Sequence, residues 1–430
     1  MTTLSRTSTA NSTSTARYSQ EPFETFQDKI VALSNVLRRS AIDDVRRMKG
    51  GSFNRVISAR VTWSSGGAST AREKDVIFRI PRFPENIDNE VIQDQAAVLH
   101  LVRMHGILAP ELLAFDATSA NPISTPYTVQ QYVHGTALDV LYDHMSLPEK
   151  LVIVDDLVQL LRKIEGIKFS APGFLKCGPA LKRLERWCFL DEQGPEEQWA
   201  TEIHDLRRPS VVVPSSDDFQ HSPLSFIQAQ LDAWQAEVTK KEISFKQKLF
   251  GRLQQLCSEM QADARFHSHK PDYVLHHWDL EPRNLIVQRT QPTDPWRICG
   301  VLDWDGALSL PAVLGRQPPV WLWDATYSHS SLIRPDGIDG DADTLPLGHN
   351  CELKGGPSCV KEYFESSFAE RVMRIDDATT SKRTYMDEAY GTGRWLRRLW
   401  RFARYGVNDQ HDVERLERLE LEWSQHISAI

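Results

Sequence analysis

One stretch constrains this chain more than any other: Leu275-His276-His277-Trp278-Asp279-Leu280-Glu281-Pro282-Arg283-Asn284-Leu285-Ile286-Val287. It satisfies H-x-D-L-x-x-x-N and passes from a tight polar loop into a short β-branched strand. A loop of that kind carries the carboxylate of Asp279 and the amide of Asn284 to one place. A second apolar strand, 298–302, follows after a Pro- and Asp-bearing hairpin loop. It ends in Asp303-Trp304-Asp305-Gly306. Carboxylate and amide oxygens are hard donors, and Mg²⁺ prefers them in company with phosphate oxygens rather than in an all-protein cage. The first pattern alone is only suggestive. Asp303 alone could equally be a strand-end turn or a helix cap. Both motifs in order favour a shared metal site.

Composition sets outer limits. A chain of 430 residues is long enough for two lobes with insertions. Its formal net charge of −8 argues against a general nucleic-acid binder, and is compatible with a cationic or neutral small substrate. The six cysteines are scattered with neither C-x-x-C nor zinc-like spacing, so they read as reduced intracellular thiols. No apolar run approaches membrane-spanning length. The Ser/Thr-rich residues 1–22, with Arg6 and Arg17, resemble a presequence in composition. They lack the large apolar residues of an amphipathic face, so a solvated tail is the preferred reading and the cytoplasm the expected location.

Periodicity organises the remainder. Residues 23–47 read as a helix with Ile30, Leu33, Val36 and Leu37 on its apolar face. A turn at Gly50-Gly51-Ser52 leads to strands at 55–61 and 75–81, separated by a turn at 64–67. A helix over 87–105 and a strand over 126–133 follow. This order describes a small α+β lobe spanning 23–135. From 136 to 430 the pattern is mainly helical. Residues 148–164 and 244–260 are helices, and 385–405 and 413–423 close the chain. The polar, Trp-bearing segment 191–244 reads as an insertion, and 336–356 as a surface loop.

The motif residues resemble a known family. His277-Trp278-Asp279-Leu280-Glu281-Pro282-Arg283-Asn284 and Val301-Leu302-Asp303-Trp304-Asp305-Gly306-Ala307 look like the catalytic and metal motifs of aminoglycoside phosphotransferase and choline-kinase-like enzymes, most of all the large fungal set. Tyr132-Val133-His134-Gly135 is similar to the family's hinge, and His105-Gly106-Ile107-Leu108-Ala109-Pro110 to the loop after its first-lobe helix. The resemblance spans roughly 45–330, with 191–244 outside it. It implies a two-lobed, protein-kinase-like α+β fold with a sheet-containing N-lobe and a helical C-lobe. Asp279 would be the catalytic base for an acceptor hydroxyl. Asn284 and Asp303 would hold Mg²⁺ on ATP or GTP. Gly50, Gly51, Ser52, Arg79 and Gln131 would contact the nucleotide, and His277 would support the loop.

This chain departs from the family in its N-lobe. The strand position that carries a lysine in kinases is Arg79, and the helical partner position falls on Asp94 or Gln95, with Glu90 a turn earlier. Arg79 reads equally as a phosphate ligand or an exposed strand charge. Gly50-Gly51 reads as a phosphate cradle or simply a turn. Trp296, Trp304, Trp321 and Trp323 could box a cationic amine, but core packing is the stronger reading. Asp305 could face substrate or cap a turn. Two functions follow: a Mg-assisted phosphotransferase acting on a small-molecule hydroxyl, or a non-catalytic kinase-fold protein that binds a nucleotide or metabolite. The intact Asp279, Asn284 and Asp303 favour the enzyme. Neither a nucleic-acid nor a membrane partner is expected, and the acceptor and the oligomeric state stay open.

Overall fold

The computed structural model describes residues 21–33, 40–48, 53–63, 72–84, 89–177, 201–204, 222–267, 272–324, 343, 354–373 and 378–428. The N-terminal tail, the Gly50-Gly51-Ser52 turn, the 64–67 turn and most of 336–356 lie outside them. The chain divides into two compact units. Met1–Met104, Ala109–His134 and Lys176–Glu202 form the first; His105–Leu108, Gly135–Leu175 and Ile203–Ile430 form the second.

The first unit contains α1 (Phe23–Ala32), β1 (Ser40–Arg47), β2 (Asn54–Trp63), β3 (Arg72–Pro81), α2 (Asn89–Met104), β4 (Leu112–Asp116) and β5 (Tyr127–Gln131). Its sheet runs β1-β2-β3-β5-β4, antiparallel at every pairing. Alternation along β3 sends Val76, Phe78 and Ile80 into a core shared with Phe26 and Ile30 of α1. Arg79, two residues from Ile77 on the opposite face, is half-buried and sits across from Val56 and Thr128.

The expected helix over 23–47 is corrected here. Among the described residues of that span, α1 covers Phe23–Ala32 and Ser40–Arg47 is the edge strand β1, while Val36 and Leu37 lie outside the described residues. The apolar pair Ile42 and Val45 is three apart, as on a helix. A bulge between Asp43 and Arg46, with Asp44 at φ 49°, absorbs the odd residue and lets both be buried from a strand.

The second unit opens with β6 (Thr136–Ala137), α3 (Leu138–Leu141) and α4 (Leu147–Glu165). The first turn of α4 carries a Ser146/Glu149 capping box. Short strands β7 (Lys168–Phe169), β8 (Gly173–Cys177) and β9 (Thr201–His204) precede α5 (Pro223–Lys240) and α6 (Ser244–Ala262). Then come β10 (Tyr273–His276), β11 (Leu285–Gln288), β12 (Arg297–Val301), β13 (Leu308–Pro311) and α7 (Ala312–Gly315). Four helices finish the chain: α8 (Gly356–Phe368), α9 (Ala378–Tyr390), α10 (Thr392–Tyr405) and α11 (Gln410–Ser428). β10 lies between β7 and β13, and β11 between β6 and β12.

Helix α5 falls inside the segment read as an insertion, yet its Leu224, Phe226, Ile227 and Leu231 belong to the main core with α6, α10 and α11. The polar composition of 191–244 as a whole hid this amphipathic stretch. Just before β6, Gly135 takes φ +144°, and a Cβ there would lie 2.6 Å from Ile286 Cγ2 and 2.7 Å from the Val287 carbonyl. The backbone passes β11 at a distance only glycine allows.

One buried cation ties the C-terminal helices together. Arg397 of α10 donates to both carboxylate oxygens of Asp343 and to the carbonyls of Val313, Glu388 and Ala389. Both side chains are 4% exposed. Beside it, Arg316 pairs with Glu165 of α4 and Glu388 of α9. Replacing Arg397 with alanine takes its donors from the buried Asp343 carboxylate and from the carbonyls of Val313, Arg316, Glu388 and Ala389, so a loss of about 3–5 kcal/mol is expected. Chemical denaturation of the variant measures it, and a loss below about 1 kcal/mol would show that the pair is dispensable.

Candidate active site

Three backbone pairings assemble the motif residues. β11 and β12 are antiparallel, with Leu285 opposite Val301. One residue further on, the Leu302 N–H donates to the Asn284 carbonyl at 2.8 Å. The Val301 N–H donates to the Leu108 carbonyl at 2.7 Å, tying the 105–108 loop to β12. Asn284 and Asp303 therefore stand at the same end of one hairpin. Asp303 adopts φ 64°, a left-handed conformation unusual for a residue with a Cβ and frequent where a side chain must be aimed.

His277 holds the loop to this hairpin. Its Nε2 lies 2.9 Å from the Leu302 carbonyl, which can only accept, so Nε2 carries the proton. Its Nδ1 then accepts from the Asp279 N–H at 3.1 Å. Burial drives the His277 pKa down, which keeps the ring neutral and Nδ1 free to accept. The edge of Trp304 packs on the ring at 4.5 Å between centroids, and Trp304 Nε1 donates to the Val301 carbonyl at 3.0 Å. The scaffold role expected of His277 matches these contacts, and Trp304 packs in the core.

Asp279 is gripped from both sides. Asn284 Nδ2 donates to its carbonyl at 2.8 Å and to its Oδ2 at 2.9 Å. Arg283 Nη2 donates to Oδ1 at 2.5 Å. With its amide hydrogens so engaged, Asn284 presents Oδ1 as an acceptor. That amide oxygen and the Asp303 carboxylate at the same hairpin end are the hard oxygen donors a Mg²⁺ ion accepts, so these residues fit the ion.

Three features of this loop lie outside the sequence expectations. Arg283 sits four residues after Asp279, on the near side of a tight turn, and that spacing was the available signal. Glu281 is buried, and desolvation pushes its carboxyl up to about 8, with the charge of Asp279 adding to the rise. His276 is pushed down to about 3 by burial, with His277 and Arg404 nearby. Of the proposed nucleotide contacts, Arg79 and Gln131 stand on β3 and β5 in the first unit, where Gln131 pairs with Val76. Gly50, Gly51 and Ser52 lie outside the described residues.

The APH family, described as the phosphotransferase enzyme family, matches residues 65–313, more than half of the chain. The chain belongs to the APH phosphotransferase family. Its α+β fold, with a sheet-bearing first unit and a mainly helical second one, is the kinase-like fold of that family. Altered inheritance of mitochondria protein 9, mitochondrial, from Kluyveromyces lactis is 23% identical over 299 residues, 59% of this chain and 48% of that protein. A subtelomeric hrmA-associated cluster protein of Aspergillus fumigatus is 27% identical over 133 residues, 31% of this chain and 24% of that protein. The chain thus spans about half or less of the curated relatives it matches. Among solved structures, ADP-bound aminoglycoside phosphotransferase APH(2'')-Ib is similar at 12% identity with a TM-score of 0.43, covering 92% of this chain and 96% of that one. A thermostable mutant of APH(4)-Ia in ternary complex with AMP-PNP and hygromycin B gives 14% and 0.45, covering 92% and 97%.

The Glu281 carboxyl sets a pH dependence. It keeps its proton to about 8 in the folded APH-family chain but releases it near the ordinary 4.5 when unfolded. Its contribution to stability is therefore complete below pH 4.5 and is lost as the pH rises through 8. Glu281→Gln, which mimics the neutral form, should raise the melting temperature more at pH 9 than at pH 5. Equal shifts at both pH values, read by thermal unfolding, would refute this origin.

Proposed function

We propose that this family member transfers a phosphoryl group from ATP or GTP to a hydroxyl of a small molecule, with Asp279 as the base. The observation that carries the reading is the Asn284 amide, bonded to both the backbone and the side chain of Asp279. It fixes the base at the hairpin end that carries Asp303 and leaves an amide oxygen for a cation. A kinase-fold protein that only bound a metabolite would not require this coupling. Mg²⁺, when bound with the nucleotide, would supply charge neutralisation on the phosphates. Asp279 would accept the acceptor's hydroxyl proton through the oxygen that Arg283 also touches. Asn284 and Asp303 would hold the ion, and Gly50, Gly51, Ser52, Arg79 and Gln131 remain the proposed nucleotide contacts of the first unit. The family match supports the chemistry in kind, since the family is one of phosphotransferase enzymes. We also propose a cytoplasmic location, on the reduced-thiol reading of the cysteines.

Two substitutions separate the roles. Asp303→Ala should abolish Mg²⁺-dependent nucleotide binding in calorimetry, and unchanged Mg²⁺ dependence would remove Asp303 from the site. Asp279→Asn keeps size but removes the proton acceptor, and it can accept from only one of Arg283 and Asn284. Turnover should fall by about 10²–10⁴ while nucleotide affinity survives. Near wild-type turnover in that variant would make Asp279 a structural residue.

A further inference from the structure

Resting on that reading, we infer that Arg283 is a second catalytic residue, whose guanidinium compensates the Asp279 carboxylate before transfer and the phosphoryl group during it. Arg283 Nη2 donates to Asp279 Oδ1 at 2.5 Å, while Asn284 Nδ2 donates to Oδ2 at 2.9 Å. The two oxygens of the base are thus held by different partners, one cationic and one neutral. The Arg283 side chain is 43% exposed, and among the described residues Asp279 is its one hydrogen-bond partner. One nitrogen of the guanidinium is engaged there, which leaves the N–H groups on Nε and Nη1 for a ligand. Burial pushes the nearby Glu281 carboxyl up to about 8, with the Arg283 charge pulling the other way, so Glu281 is a weak rival for the cation at neutral pH.

Local backbone sets this placement. Pro282–Asn284 form a single tight helical turn, closed by the Asn284 N–H on the Glu281 carbonyl at 2.9 Å. Pro282 presets the backbone angle at the start of that turn. Residues 283 and 284 are thereby brought back toward 279, one to each carboxylate oxygen. Asn284 is itself fixed by the Leu302 N–H on its carbonyl at 2.8 Å. Arg283 therefore leaves from a backbone position that the hairpin has already set.

The chemistry follows from sharing one oxygen. A carboxylate oxygen has two lone-pair sites, so Oδ1 can accept from Arg283 and from an acceptor hydroxyl together. Two donors on one oxygen stand roughly 4 Å apart, which puts the guanidinium beside the reacting hydroxyl. In the transfer the hydroxyl proton passes to Asp279 and the hydroxyl oxygen bonds to the γ-phosphorus. The bond from that phosphorus to its bridging oxygen breaks, and the electron pair leaves with the nucleoside diphosphate. Asp279 becomes neutral and loosens its hold on Arg283 as the phosphoryl oxygens arrive one atom beyond the acceptor oxygen. A guanidinium bonds carboxylate and phosphate oxygens with the same fork geometry. The cation thus follows the negative charge from the base to the phosphoryl group without leaving the loop.

The test is calorimetric titration of the full chain with Mg·ADP, alone and with fluoroaluminate as a mimic of the phosphoryl group in transfer. In the unaltered protein fluoroaluminate should tighten Mg·ADP binding by at least about tenfold. Arg283→Gln keeps a neutral donor for Asp279 but removes the charge. It should lose that tightening while Mg·ADP alone binds as before. Arg283→Lys restores the charge without the fork and should recover part of the tightening. Arg283→Ala, measured in parallel, should lose it as Arg283→Gln does, and decides the matter if the glutamine variant does not fold. No tightening in the unaltered protein, or full tightening in Arg283→Gln or Arg283→Ala, would overturn the inference and leave the phosphotransfer reading standing. Equal losses in the glutamine and lysine variants would reduce Arg283 to a structural part and overturn it too. Absence of Mg·ADP binding in every form would sink the phosphotransfer reading itself, and this inference with it.

Discussion

The site depends on the antiparallel pairing of β11 with β12. Sheet register is an all-or-none constraint, because a slip of one residue turns every side chain to the other face. Here the pairing aligns Leu285 with Val301, and the next bond, Leu302 N–H to the Asn284 carbonyl, brings the two motifs level. His277 then reads the position of Leu302 through one ring nitrogen and hands it to Asp279 through the other. The 277–284 loop is short and irregular, with little secondary structure of its own. Its geometry is borrowed from a two-stranded ladder whose residues β6 and the Gly135 approach hold from the other edge.

Electrostatics divides the second unit into two regimes. Around Arg397 and Arg316 the ions are buried, multiply bonded and matched in sign, so they hold elements together. At the 279–284 loop the Asp279–Arg283 pair is partly exposed, and burial pushes the Glu281 carboxyl up to about 8. The first arrangement resists change in solvent. The second stands open to solvent, where salt screens it.

How much of this the sequence shows depends on the distance over which each feature is encoded. The contact between Asp279 and Asn284 is carried by a five-residue spacing, and the family and its fold follow from motifs of that local kind. The pattern of β3 is equally plain because one face is wholly buried. β1 was misread because a bulge gives a strand the three-residue spacing of a helix. β7, β8, β10 and β13 have two to five residues each, too few for periodicity to register. Arg404 packs against Phe174, Trp278 and Tyr405, and no local pattern announces a meeting of that range.

Arg397 also has a consequence for how the C-terminal part of the molecule opens. Its acceptors come from β13–α7, the single described residue at 343, and the end of α9, so no one of these segments can leave without uncovering charge in the others. Fraying of the last helices one by one is thereby suppressed. Amide hydrogens in α9 and α10 should exchange with solvent at one common rate, as a single cooperative block, and a chain cut short within α10 forfeits the block as a whole rather than a helix at a time.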